Sequence, residues 1–95
     1  VISNDFAYIT NSGNNTVSQC MFNSTTGELS DCNPTGTSLS VPHGIVINNN
    51  FEYIANAVKS SGISQCKIDP ANGNLTECKI VKDSSFNTTT NITIY

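Results

Sequence analysis

Short runs of apolar and β-branched residues alternate along this chain with clusters rich in Asn, Gly, Ser and Pro. No stretch keeps the 3.6-residue apolar period of a helix for three turns, so the pattern predicts an all-β protein. In the second half of the chain the runs predict four strands, at residues 44–48, 51–56, 62–68 and 75–81. Turns are predicted at residues 48–50, because Asn tolerates left-handed backbone, and at residues 69–74, where Asn-Gly is a strong hairpin signal.

The strand pattern occurs twice, which marks a tandem repeat. Tyr-Ile-Thr-Asn at 8–11 returns as Tyr-Ile-Ala-Asn at 53–56, and Ser-Gln-Cys at 18–20 returns at 64–66, with an offset of 45 or 46 residues. This offset matches the repeat length of about 40 to 50 residues in propeller blades, units that bury their apolar faces against stacked neighbours. The predicted division is a first repeat at residues 1–40, a second at 41–85 and a C-terminal segment at 86–95.

The four cysteines fall as two equally spaced pairs, Cys20 with Cys32 in the first repeat and Cys66 with Cys78 in the second. A duplicated even set is typical of disulfides, which imply an oxidising compartment. Zinc is the competing interpretation. Zinc ligands are usually closely spaced, however, and the only histidine, His43, lies in no such cluster.

The geometry of each hairpin accounts for the cysteine spacing. With the second turn centred near residue 72, the opposed residues are Cys66 with Cys78, Lys67 with Glu77 and Ile68 with Thr76. In the first repeat the same arithmetic opposes Cys20 with Cys32 and Phe22 with Ser30. Directly opposed residues of an antiparallel pair lie within disulfide range, so each repeat is predicted to carry one disulfide, worth about 3 kcal/mol in the chain-entropy model. The Lys67–Glu77 pair is expected to be exposed and weak.

Composition and charge exclude several classes of function. Asn, Ser and Thr make up 37 of the 95 residues, whereas Lys and Arg make up four, and the formal net charge is −3. Without a basic run, the chain lacks the electrostatic footprint of nucleic-acid binding. Its apolar runs are far shorter than the roughly 20 residues of a membrane-spanning helix, so membrane insertion is not expected. No cofactor is predicted.

Five Asn-x-Ser/Thr sequons are candidate N-glycosylation sites: Asn14, Asn23, Asn74, Asn87 and Asn91. Several would occur by chance in a chain so rich in Asn and Thr. Together with the cysteine pairs they also fit a secreted protein, in which a surface loop offers the acceptor. N-linked glycans are therefore candidate partners, and the predicted location is extracellular, either secreted or at the cell surface.

The motif at 8–11, followed by Gly-Asn-Asn-Thr-Val at 13–17, resembles the Tyr-Val-Thr-Asn type of β-propeller repeat found in lactonase-like propellers and in microbial surface proteins. Pro-x-Gly-Ile-Val-Ile at 42–47, leading into 53–56, is similar to the same repeat's innermost strand and its successor. The resemblance covers almost the whole chain and implies two tandem four-stranded antiparallel propeller-like blades. It does not specify an activity, because the same repeat serves enzymes, binding platforms and surface layers. The cysteine pair is not part of the general pattern and points to a secreted branch.

The two ends of the chain suggest how copies could meet. Aligning Tyr8 with Tyr53 places Val1 at the position of Val46, so the first inner strand is expected to be partial. A surplus strand is predicted at the other end, formed by Asn91, Ile92, Thr93, Ile94 and Tyr95, in which apolar and polar residues alternate. Closed propellers need about four to eight blades. Either the chain is a fragment of a longer propeller, or copies join head to tail in a ring or filament through this strand.

The sequence contains no recognisable catalytic constellation. The acids fall mainly in predicted turns or outer strands: Asp5, Glu28, Asp31, Glu52, Asp69, Glu77 and Asp83. His43 precedes an inner strand and has suitable chemistry for a ligand or base, but one histidine without a carboxylate partner is no mechanism, so a loop or structural role is expected. Tyr8 and Tyr53 are predicted to pack between repeats rather than to form a sugar platform.

These observations predict a non-enzymatic extracellular protein, a structural or surface subunit that assembles with other copies of itself. Two alternatives remain open at this point. The first is a fragment of a lactonase-like propeller enzyme, in which neighbouring sequence would supply further blades. The second is a carbohydrate-binding or protein-binding propeller, in which the tyrosines would contact the ligand.

Overall fold

The computed structural model describes residues 1–3, 5–57, 62–86 and 91–92. Within these ranges the chain is all-β, as predicted, and consists of antiparallel strands in two sheets. The strands are β1 (Ile2–Ser3), β2 (Phe6–Asn11), β3 (Thr16–Phe22), β4 (Leu29–Thr35), β5 (Pro42–Asn48), β6 (Phe51–Asn56), β7 (Ile63–Ile68) and β8 (Leu75–Val81).

Each sheet is a meander, in which strands adjacent in the chain are adjacent in the sheet. The N-terminal sheet contains β1 to β4, and the C-terminal sheet contains β5 to β8. Because β1 has only two residues, the N-terminal sheet consists of three full strands and a short edge strand. Its counterpart β5 has seven residues and makes the C-terminal sheet a complete four-stranded unit.

The strands predicted in the second repeat are confirmed, with ends that differ by at most two residues. Their turns also follow the predicted chemistry. Asn49, between β5 and β6, has a φ of 56°, and Gly73, between β7 and β8, has a φ of 75°. Asn and Gly tolerate such left-handed values better than other residues do, which explains why these residue types end the strands here.

The two predicted disulfides are confirmed. Cys20 is bonded to Cys32 with a Cα–Cα distance of 4.0 Å, and Cys66 is bonded to Cys78 with a Cα–Cα distance of 4.1 Å. Each bond joins the last two strands of one sheet. Two disulfides in a domain this small are consistent with an extracellular or otherwise oxidising environment.

The predicted register of both hairpins is wrong by one residue in the part that runs from the cysteines to the turn. Lys67 lies opposite Thr76 rather than Glu77, and Ile68 lies opposite Leu75 rather than Thr76. In the first repeat, likewise, the residue opposite Phe22 is Leu29 and not Ser30. On the other side of the cysteines, the partners follow the predicted register.

A β-bulge causes the shift in both hairpins. Asp31 and Glu77, each the residue before the second cysteine of its sheet, both have a φ of 50°. The extra residue on one strand moves the ladder by one position, which counting outward from a turn cannot reveal. The predicted contact forms in spite of the shift, since Lys67 Nζ lies 3.4 Å from a carboxylate oxygen of Glu77. Both side chains are exposed, so the pair contributes little to stability.

The hydrophobic core is shared by the two sheets. The N-terminal sheet contributes Tyr8 and Val17, and the C-terminal sheet contributes Ile54, Cys66 and Leu75. Several half-buried apolar side chains pack around this cluster: Phe6, Leu39, Ile45, Ile47 and Ile68. The predicted packing role of Tyr8 is therefore confirmed, and the sheets pack face to face.

Two predictions concern parts of the chain that the structure describes only in part. Of the predicted surplus strand, Asn91 and Ile92 are described and lie in no strand, while residues 93–95 lie outside the described residues. The strand therefore remains a prediction. The division at 1–40, 41–85 and 86–95 also remains one, although the two sheets occupy residues 2–35 and 42–81.

Candidate functional site

The sheets meet where a turn of the C-terminal sheet lies against a face of the N-terminal sheet. The Tyr8 hydroxyl donates a hydrogen bond to the Gly73 carbonyl at 2.6 Å. Gln19 Nε2 donates to the Asn72 carbonyl at 2.8 Å. We call this the turn contact, formed by Phe6, Tyr8 and Gln19 on one side and by residues 69–74 on the other.

Gly73 is required in the turn contact for two reasons. A Cβ atom at this position would lie 2.8 Å from the ring of Phe6 and 2.7 Å from Gln19 Nε2, closer than real Cβ contacts come. Its φ of 75° is also unfavourable for a residue with a side chain. The backbone of the turn therefore approaches the N-terminal sheet directly.

Three further hydrogen bonds join the segments that flank the turn contact. They run from Thr10 Oγ1 to the His43 carbonyl at 2.8 Å, from the Leu75 amide to Thr35 Oγ1 at 2.8 Å, and from the Val41 amide to Asn15 Oδ1 at 2.7 Å. Side-chain groups of the first repeat thus bind backbone groups of the second. The bonds fix the two sheets in one relative position.

The repeated asparagines and serines have a structural role that the sequence analysis missed. In the first repeat, Asn11 Nδ2 donates to Ser18 Oγ at 2.9 Å. In the second, Asn56 Nδ2 donates to Ser64 Oγ at the same distance, with both side chains fully buried. Each bond ties the end of one strand to the next. The signal was present in the sequence, because both residues recur in both repeats.

His43 does not form part of a recognisable catalytic or metal site. It is exposed at the start of β5, where its carbonyl accepts the bond from Thr10. Among the described residues there is no group of three or more His, Cys, Asp or Glu side chains that could hold a metal ion. The described part of the chain also contains no helix with the length and apolar character needed to cross a membrane.

Glu52 is the most unusual ionisable group in the core. It is fully buried, and both carboxyl oxygens are without a hydrogen-bond partner among the described residues. Burial raises the pKa of Glu52 from 4.5 to about 8, while the positive charge of the Val1 amino group opposes the rise. Burial also raises the pKa of Tyr8 to about 12, with a smaller contribution from the charge of Glu52.

Glu52 was among the acids expected mainly in turns and outer strands, and its burial in β6 was not predicted, although a signal existed. The corresponding residue of the first repeat is Ala7, which is also buried. Strand alternation places Glu52 on the face opposite to Phe51 and Tyr53, towards the N-terminal sheet. An acid that replaces a small apolar residue on a core face is a candidate for a perturbed pKa.

Four of the five candidate glycosylation sites are described and exposed: Asn14, Asn23, Asn74 and Asn91. Asn87 lies outside the described residues. Asn14 Oδ1 accepts a hydrogen bond from Thr16 Oγ1 at 2.7 Å, and Asn23 Oδ1 accepts one from the Thr25 amide at 2.9 Å. Both bonds use the side-chain oxygen, whereas an N-glycan is attached to the nitrogen. Glycosylation remains a prediction at all five sites.

Comparison with protein-family models, curated proteins and solved structures found no match. The role of the turn contact is therefore inferred from its geometry alone. The arrangement binds a glycine-containing turn to a face that carries Phe, Tyr and Gln. Its chemistry is that of specific protein packing, since both carbonyls of the turn receive side-chain donors.

We predict that Tyr8→Phe destabilises the chain, because it leaves the Gly73 carbonyl without its donor. Loss of a partner from a buried acceptor should lower the free energy of unfolding by about 1 to 3 kcal/mol. Urea denaturation of the oxidised protein in dilute solution measures this loss. Tyr53→Phe is the matched control and should change stability by less than about 0.5 kcal/mol. Equal losses in the two variants would contradict the role of the Tyr8 hydroxyl.

Glu52 should make the chain less stable as the pH rises. Its pKa is higher in the folded state than in the unfolded state, so between about pH 4.5 and pH 8 the unfolded chain releases a proton that the folded chain keeps. The associated stability is present below pH 4.5 and is lost through pH 8, a total of roughly 4 to 5 kcal/mol.

Denaturation curves of Glu52→Gln and the parent between pH 4 and pH 9 test this dependence. The variant should lose most of the downward slope and be more stable than the parent at pH 8. Glu77→Gln removes an exposed glutamate and should keep the slope. A parent whose stability does not fall over this range would show that Glu52 is not buried as a neutral group.

Proposed function

We propose that this chain is an extracellular structural or surface repeat protein that assembles head to tail with copies of itself. Its two sheets act as propeller-like blades, and strand addition joins one copy to the next. The order β1 to β4 and β5 to β8, each an antiparallel meander, supports the comparison with blades. Assembly in this manner gives a ring if the rotation between copies closes and a filament if it does not.

The observation that carries the proposal is the unequal edge of the two sheets. In the C-terminal sheet, β5 pairs along β6 as far as its last residue, Asn56. In the N-terminal sheet, the corresponding edge of β2 is paired only as far as Tyr8. Its partners there are the short β1 and the backbone of Val1. Among the described residues none pairs with positions 9–11 of β2 on that side, so a strand from outside this sequence or from another copy can pair there through main-chain hydrogen bonds. The proposal assigns this place to a strand of another copy.

The strand that would be added is the predicted segment at residues 91–95 of another copy. Ile92 and Ile94 alternate there with polar residues, so one face of the added strand would be apolar. Ile92 is half-buried in the single chain, and Asn91 is exposed. Addition of this segment beside residues 9–11 continues the edge row that β1 begins, so that the row becomes as long as β5 in the C-terminal sheet.

The extracellular setting is supported by three features together. Both sheets carry a disulfide, and the surface offers four exposed sequon asparagines. Asn, Ser and Thr make up 37 of the 95 residues, whereas 12% of the residues are charged. The lactonase-like and ligand-binding alternatives find no specific support in the geometry of the described residues.

Removal of residues 91–95 tests strand addition. The intact oxidised chain should form oligomers whose size increases with concentration, because strand addition is a bimolecular contact. The shortened chain should have a much smaller sedimentation coefficient at the same concentration. Sedimentation velocity measures the size, and negative-stain electron microscopy separates rings from filaments.

Ile94→Val keeps an apolar β-branched residue in the added strand and is the matched control. It should assemble as the intact chain does, whereas Ile94→Lys should behave like the shortened chain. Assembly of the shortened chain at the parental concentration and size would rule out strand addition.

A further inference from the structure

The face that receives the turn in the N-terminal sheet occurs again in the C-terminal sheet. Phe6, Tyr8 and Gln19 correspond in the repeat to Phe51, Tyr53 and Gln65. The strand pairing is equivalent, since Tyr8 lies opposite Gln19 and Tyr53 lies opposite Gln65. The second set faces away from the N-terminal sheet and is half-buried. We call Phe51, Tyr53 and Gln65 the receiving face.

The turn that fills such a face also occurs twice. Residues 23–28 correspond to residues 69–74, and Gly27, with a φ of 78°, corresponds to Gly73. In both turns the glycine amide donates at 2.7 Å to the carbonyl four residues earlier. The Gly73 Cβ position is crowded by Phe6 and Gln19, whereas no atom of the described residues beyond the chain neighbours lies within 4 Å of a Cβ at Gly27. We call residues 23–28 the free turn.

The apolar side chains beside the two turns also differ in burial, and those of the second repeat are the more buried. Ile54 is 0% exposed and Leu75 is 7% exposed, because both lie against the N-terminal sheet. Their counterparts Ile9 and Leu29 are 39% and 51% exposed. The N-terminal sheet thus presents to solvent the same apolar surface that the C-terminal sheet buries.

Charge supplies an independent indication of what covers these surfaces. In the contact within the chain, Met21, Asn33 and Asn74 line one depression between the sheets and are uncharged, and Asp31 also lines it. Met21, Asn33 and Asp31 correspond to Lys67, Lys79 and Glu77 of the second repeat, and Asn74 corresponds to Glu28 of the first. Because Glu77 is already paired with Lys67, a contact of the same geometry between two copies would place Glu28 of the free turn beside Lys79.

We propose that the receiving face of one copy binds the free turn of a second copy of this chain, with Ile9 and Leu29 buried in the same interface. The hydroxyl of Tyr53 donates to the Gly27 carbonyl, as Tyr8 does to Gly73 within the chain. Glu28 pairs with Lys79, which has no ion-pair partner among the described residues. The contact is heterologous, so copies continue in one direction until a ring closes or a filament grows.

This inference rests on the proposed self-assembly and specifies the surfaces that meet. It differs from strand addition in the groups that it uses, which are side chains of the two sheet faces instead of a strand edge. The two contacts can therefore be removed separately.

Charge reversal tests the docking. Glu28→Lys and Lys79→Glu are made singly and together in the oxidised chain, produced without N-glycans, and association is measured by sedimentation velocity over a range of concentrations. Each single reversal should weaken association by about tenfold, which corresponds to a coupling energy of about 1.5 kcal/mol for a close interfacial charge pair. The double reversal should restore most of the loss. Single variants that associate like the parent, or a double variant that remains weak, would overturn the proposal.

A second pair of variants tests the apolar part of the interface. Ile9→Lys should weaken association, because it places a charge in the buried contact. Ile80→Lys is the matched control with 38% exposure. Ile80 lies opposite Ser64, which in turn lies opposite Ile54, so it belongs to the face already turned towards the N-terminal sheet. Equal effects of the two substitutions would contradict docking through the Ile9 face.

The shortened chain without residues 91–95 separates the two ideas. If it associates and the charge-reversal pattern holds, docking stands and strand addition fails. If it is monomeric while the single reversals associate like the parent, docking fails and strand addition stands. A parent chain that is monomeric at every concentration overturns both.

Discussion

The fit of a glycine turn against a tyrosine-bearing face determines how the two sheets are held together. Gly73 lets the backbone of the turn approach closely, and Tyr8 and Gln19 provide the donors that its carbonyls need. Each sheet alone has too few residues to enclose a core. The core exists because the faces are pressed together in a single orientation, which the turn contact fixes.

Duplication places equal residues in unequal environments. Tyr8 is fully buried and Tyr53 half-buried, while Ile54 is buried and Ile9 exposed. The Asn–Ser hydrogen bond, in contrast, is the same in both sheets. The differences in burial between matched residues therefore arise from their neighbours. Glu52 differs in kind, because an acid occupies a core position that is Ala7 in the first repeat.

Much of the fold could be predicted from the sequence because its signals are local. The strands of the second repeat were predicted from the alternation of apolar and polar residues and from the Asn and Gly turns. Both disulfides were predicted from the cysteine spacing. The bulges at Asp31 and Glu77 could not be found in this way, since an inserted residue leaves the turn and the cysteines in place. The Tyr8 bond depends on contacts between sheets, which a local pattern does not contain, and the burial of Glu52 is indicated only by comparison with Ala7 of the first repeat.

The bulge before Cys32, and its equivalent before Cys78, has a consequence for how the chain matures. If the hairpin paired without its bulge, the register set by the turn would oppose Cys20 to Asp31 and direct Cys32 to the other side of the sheet. The sulfur atoms could then not meet. Each disulfide can therefore form only in a hairpin that has formed its bulge. Oxidation thus fixes correctly paired hairpins covalently, whereas hairpins in a shifted register stay reduced and can still rearrange.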